Sequence, residues 1–116
     1  MDTYALIEIA EGNPKYHHLL NSDAVTLKDN LAELYYFFLK KYDQKTADLF
    51  LEEFRGLVVD LPIELIPKSM LFKHSRSKSN FSYADCMGYV FALESKRVFI
   101  TGDRAFKGLD NVEIIR

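Results

Sequence analysis

The stretch Phe81 to Leu93, FSYADCMGYVFAL, is apolar on nearly all sides of a helix. Such a helix has no wet face to offer a surface, so it must be central, with other elements packed around it. A chain of 116 residues, 48% hydrophobic and 28% charged, has the size of one ordinary domain and enough apolar side chains to surround that helix. One domain spanning residues 1–116 is therefore expected. The helix carries a single charge, Asp85, and a buried acid needs a partner. A local one is at hand, since Ser82-Tyr83-Ala84-Asp85 fits the S-x-x-D capping box, with the acid favoured in the first turn by the helix dipole. Cap and functional group both remain open readings of Asp85.

The elements around it follow from spacing and breakers. Thr3 to Glu11 has helical periodicity, with Asp2 placed to cap it and Gly12-Asn13-Pro14 as a stop. Lys15 to Leu20 reads as one or two further turns, and Ala24-Val25-Thr26 as a minimal strand. Thr26 then begins a helix with Asp29 as its capping-box acid. Leu27, Leu31, Leu34, Phe38 and Tyr42 form its apolar stripe, and Gln44 to Phe54 continues as an antiparallel helix ended by Arg55-Gly56. Leu57 to Leu61 reads as a strand, Ile63 to about Arg76 as a basic helical stretch, and Ser75 to Asn80 as a loop. Ser82 to Ser95 is helical, and Val98 to Thr101 and Val112 to Ile115 read as strands. Strands alternating with helices predict an α/β fold with a parallel sheet flanked by helices on both sides.

Charge and composition narrow the functions. Residues 1–64 hold 12 acidic and 6 basic residues, whereas residues 65–116 hold 5 acidic and 9 basic ones, so the net charge of −2 conceals two opposed halves. No acid occurs between Leu65 and Ala84, where Lys68, Lys73, Arg76 and Lys78 stand with His74. That stretch suits either a solvated face or a polyanion. No apolar run approaches the roughly 20 residues of a membrane helix, and no signal segment opens the chain, which predicts a cytoplasmic protein with no membrane partner. The lone Cys86 and the scattered His17, His18 and His74 supply no zinc set.

Several acids stand out individually. Glu33 lies one turn beyond Asp29, a like-charge pair, and faces Tyr36 and Phe37 rather than a lysine, which points to a partner from outside its helix. RVFITGD reads as a short strand that stops at Asp103, and Asp103 is also placed to cap the turn Arg104-Ala105-Phe106. In open parallel sheets, sites collect beyond the carboxyl ends of the strands, which is where Asp103 falls.

Together these features resemble the PIN-domain family. Asp2-Thr3 opens a helix, Glu33 sits in Asn30-Leu31-Ala32-Glu33-Leu34, Tyr83-Ala84-Asp85 begins a central helix, and Thr101-Gly102-Asp103 ends a strand. The closing stretch YADCMGYVFALESKRVFITGDRAFKGLDNVEII is the most specific part of the likeness. The sequence departs from the family pattern in one place: an apolar strand normally precedes the first acid, and here only Met1 does. The first strand is thus expected to be missing or truncated.

The resemblance implies a Mg²⁺- or Mn²⁺-dependent ribonuclease, with Asp2, Glu33, Asp85 and Asp103 as the metal-binding and catalytic set. Thr3 and Thr101 would orient water or carboxylates around them. Two carboxylates about 5 Å apart repel by roughly 3 kcal/mol at an effective dielectric near 20, so such a cluster protonates, spreads or takes up a hard cation. Lys73, Arg76, Lys78, Arg104 and Lys107 are weaker candidates for contacts with RNA phosphates. Small members of the family are often toxins of toxin–antitoxin pairs, so RNA, an antitoxin and a second copy are the expected partners. RNA processing, or a non-catalytic binding scaffold of the same fold, is the alternative. A phosphatase of the haloacid dehalogenase type is disfavoured, because Asp2 is followed two residues later by Tyr4 instead of a second Asp.

Overall fold

A computed structural model describes residues 1–115. Helix α1 spans Thr3–Ala10 and ends near Gly12, which has a positive φ of 82°. A 3₁₀ segment follows at Pro14–Asn21, started by the Asn13 side chain, which accepts a hydrogen bond from the Lys15 N–H. The first strand, β1, is Thr26–Leu27, starting two residues later and ending one residue later than the sequence suggests. Helix α2 runs Lys28–Lys41 and α3 runs Gln44–Phe54. Strand β2 is only Val58–Val59, and α4 covers Ile66–Ser75 after a 3₁₀ turn at Ile63–Leu65. The expected loop after α4 contains a 3₁₀ turn at Ser77–Ser79. Helix α5 is Tyr83–Glu94, β3 is Phe99–Thr101 and β4 is Val112–Ile114.

Thr26 does not cap α2. Its buried hydroxyl donates instead to the Met1 carbonyl at 2.9 Å, and Leu27 stands at the cap position with no side-chain bond to offer. Asp29 still favours the first turn of α2 through the helix dipole. The helix is held down mainly by packing. Leu31, Leu34 and Phe38 bury against Leu6, Ala47 and Phe54, and Phe38 stacks on Phe50 with ring centroids 4.5 Å apart. A second core surrounds α5, where Phe81, Tyr89, Phe99 and Phe106 form a run of ring contacts. Much of the buried face of α5 (Ala84, Cys86, Tyr89, Val90, Ala92) lies against these neighbours, as its apolar surface requires.

The sheet differs from the expected one. Two separate parallel pairs form, β1 with β2 and β3 with β4, in place of one continuous sheet. Met1 and Asp2 bridge them through backbone hydrogen bonds. The Met1 amino group donates to the Val25 carbonyl at 2.8 Å, and the Asp2 N–H donates to the Ile100 carbonyl at 3.2 Å. The fold is α/β, with α1 and α5 contacting β3 and α2 and α5 contacting β1. No helix among the described residues is long and apolar enough to cross a membrane.

Candidate active site

Just past the carboxyl end of β3, Gly102 and Asp103 border an open cleft. It encloses about 570 Å³ and is lined by Asp2, Glu33, Asp85 and Asp103 together with Thr3, Tyr4, Ile7, Tyr36, Phe37, Lys40, Ser82 and Gly102. Four acids separated by up to 101 positions in the chain thus face the same space.

Asp2 is the most buried of them, at 3% exposure. One carboxylate oxygen accepts the Ala5 N–H at 2.9 Å and so caps α1, and the other accepts the Thr101 hydroxyl. Burial pushes its carboxyl up from 3.8 to about 6, against the opposing pull of those two hydrogen bonds, and the nearby Asp85 charge adds to the rise. The Thr101 hydroxyl also accepts the Asp103 N–H at 2.9 Å, so one buried threonine ties the first acid to the last.

Glu33 finds the outside partner that its surroundings demand. The Thr3 hydroxyl donates to Glu33 Oε1 at 2.5 Å, and Asn30 Nδ2 donates to the same hydroxyl at 3.2 Å. Asn30 is 1% exposed, and its Oδ1 has no hydrogen-bond partner. Sequence reading missed Asn30. The available signal was its place one turn before Glu33 on an otherwise apolar buried stripe of α2.

Asp85 is held by its own helix. Its Oδ2 accepts the Ser82 N–H at 2.9 Å while its N–H donates to Ser82 Oγ at 3.0 Å, a complete capping box. Asp103 Oδ1 accepts the Ala105 N–H at 2.9 Å and starts the 3₁₀ turn Arg104–Phe106. Gly102 serves by its lack of a side chain, since a Cβ there would lie 2.0 Å from the Tyr4 ring. Tyr4 therefore packs directly over the backbone that presents Asp103.

The basic candidates stand elsewhere. Lys73, Arg76, Lys78, Arg104 and Lys107 do not line the cleft. Lys73 donates to the Phe81 carbonyl at 2.5 Å and lies over the Tyr83 ring, and Arg76 lies over Phe72. The cation that does reach the cleft is Lys40, over the exposed Tyr36 ring at 4.5 Å from its centre. It went unnoticed in sequence because it belongs to a helix read for its apolar stripe.

A donor set of four carboxylates, with no histidine or cysteine lining the cleft, suits a hard divalent cation in chemistry. Among the described residues, no three of them come close enough together to hold an ion as they stand. Asp85 and Asp103 each give one oxygen to a backbone N–H, a bond worth about 1 kcal/mol that a cation would have to outbid or leave in place by using the other oxygen.

The family model for the PIN domain matches residues 1–112, nearly the whole chain. The chain belongs to the PIN-domain family. PIN domains are generally nucleases, and they generally use divalent metal ions. No curated protein and no solved structure matches the chain.

Proposed function

We propose that this PIN domain is a Mg²⁺- or Mn²⁺-dependent endoribonuclease, with Asp2, Glu33, Asp85 and Asp103 as the acids of its site. The observation that carries the proposal is the convergence of these four carboxylates, drawn from four separate elements, on one open cleft. The bound cation would hold the scissile phosphate, activate a water molecule and stabilise the leaving oxygen. The chain's own part is to place the oxygens. Thr101 fixes Asp2 and the backbone of Asp103, while Thr3 fixes one oxygen of Glu33 and Asn30 fixes Thr3.

In this reading the protein is the toxin of a toxin–antitoxin pair, acts as one domain, and works in the cytoplasm. An antitoxin segment or a second copy would be sought at exposed apolar side chains such as Leu49, Ile63 and Leu71. The scaffold alternative draws on the local caps that occupy Asp85 and Asp103.

Cleavage of a labelled RNA in Mn²⁺ and in EDTA tests the proposal. Glu33→Gln should abolish Mn²⁺-dependent cutting, and Thr3→Val should reduce it by the roughly 10–100-fold that loss of an outer-shell partner costs. Equal cutting by wild type and Glu33→Gln, or cutting that persists in EDTA, would exclude this site.

A further inference from the structure

Helix α2 turns more than an acid to the cleft. Glu33, Tyr36, Phe37 and Lys40 follow one another at helical spacing, so they share one face of α2, and all four line the cleft. Phe37 belongs to the core side of that face, since it is half-buried and packs edge-on to Phe38 with ring centroids 5.2 Å apart. Tyr36 does not. It is 59% exposed, and the Lys40 ammonium lies 4.5 Å from its ring centre. A ring left in water at the wall of a cleft forgoes the burial through which aromatic side chains stabilise a fold. Lys40 also lacks a structural duty. The cation that suits the carboxyl end of α2 is supplied by Lys41, which pairs with Glu11 at 2.7 Å, whereas Lys40 enters no salt bridge among the described residues.

We propose that Tyr36 and Lys40 form a nucleotide-binding wall of the cleft, on which an unpaired base beside the scissile phosphate stacks against the Tyr36 ring while a neighbouring phosphate meets Lys40. The inference rests on the ribonuclease reading for where the scissile phosphate lies, but the wall is built from other residues. Spacing supports it. At a rise of 1.5 Å per residue, Tyr36 lies about 4.5 Å and Lys40 about 10 Å along the axis of α2 from Glu33. The order of acid, ring and cation matches the phosphate, base and phosphate of a strand laid along the helix. Charge supports it as well, because the four acids repel a polyanion and Lys40 is the cation that lines the cleft among the described residues. An exposed cation–π contact is weak, so a phosphate draws the flexible ammonium off the ring and leaves that face to the base. In a duplex the neighbouring base pairs cover the base faces, so a stacking ring selects an unpaired nucleotide. It does so with little regard to sequence, since every base has a π-face.

Tyr36→Leu, Tyr36→Phe, Lys40→Gln and Lys40→Arg test the wall against a fluorescein-labelled single-stranded RNA dodecamer of mixed sequence and the blunt duplex of the same sequence. Binding is read by anisotropy in EDTA over a salt series, and cleavage in Mn²⁺ is read as kcat and KM. Both side chains are exposed, so the four variants should melt with wild type. Tyr36→Leu should lose at least about fivefold in affinity for the single strand and raise KM by a similar factor with kcat little changed. Tyr36→Phe should keep wild-type values, and affinity for the duplex should be the same in all three proteins. Lys40→Gln should lower the slope of log affinity against log salt by about 0.7, the share of one phosphate contact on a single strand, and Lys40→Arg should restore it. Absence of single-strand binding by wild type, full single-strand affinity in Tyr36→Leu, or an equal loss for single strand and duplex would overturn the stacking. An unchanged salt slope in Lys40→Gln would overturn the phosphate contact. The nuclease reading fails separately: if wild type cuts nothing in Mn²⁺ yet binds the single strand through Tyr36, the wall stands and the reaction assigned to the acids is wrong.

Discussion

At the scale of single residues, Asp2 and Met1 are the most displaced ionisable groups near the site, and they predict opposite pH trends. The folded Asp2 carboxyl titrates near 6 instead of 3.8, so its contribution to stability is full below about pH 4 and is lost as pH rises through about 6. The Met1 ammonium is lowered from 8.0 to about 6, so its contribution is full above about pH 8 and is lost as pH falls through about 6. Together they predict a shallow minimum in melting temperature near pH 6. Asp2→Asn should flatten the decline between about pH 4 and 6 relative to wild type. Parallel profiles for the two proteins over that range would show that Asp2 carries no raised pKa. The buried position of Asp2 was not legible from sequence, where it stands as the second residue and reads as an ordinary cap. What encloses it is long-range: the Thr101 hydroxyl and the Ile100 carbonyl arrive from the far end of the chain.

At the scale of elements, helices were far more legible than strands. Four of the five helices show their apolar spacing and stops over ten or more residues, and α1 is marked by Asp2 and Gly12. The strands are two or three residues long, so periodicity has nothing to act on, and tertiary pairing decides where each begins. This is why Leu57 to Leu61 shrinks to Val58–Val59 and why β1 starts at Thr26. The Thr26 cap failed for a related reason, since its hydroxyl found the Met1 carbonyl from across the fold. The cap on α5 is local and was readable, with Ser82 and Asp85 satisfying each other's backbone N–H groups. Ser82→Ala should cost about 1 kcal/mol in a urea melt while leaving any stabilisation by Mn²⁺ in place, since it removes no carboxylate. Loss of the Mn²⁺ response in that variant would mean that the cap orients Asp85 for the cation.

For the whole molecule, the question is whether the cleft is a working metal centre or a meeting of helix caps. The order of the acids along the chain resembles the family that the matching model shows, and they reach one cleft from the starts of α1 and α5, the side of α2 and the carboxyl end of β3. The sequence could not show how each acid is occupied, because caps and metal ligands use the same residue types at helix starts. The division of the sheet into two separate pairs was also not legible, since strands of two or three residues carry no periodicity that shows which of them pair.

Asp85 separates the two views most sharply, because it is at once the acid in the first turn of the central helix, half of a capping box and one of the four acids. The decisive measurement is a pair of thermal melts of wild type and Asp85→Asn, in EDTA and in excess Mn²⁺, with cleavage of a labelled RNA read alongside. A metal centre predicts that Asp85→Asn melts at or above wild type in EDTA, since relief from the Asp2 charge offsets a weakened cap worth about 1 kcal/mol. The variant should then gain little from Mn²⁺ and should not cut. Should it melt below wild type in EDTA, gain as much from Mn²⁺ and cut RNA at the same rate, Asp85 is a helix cap and the proposed centre is wrong.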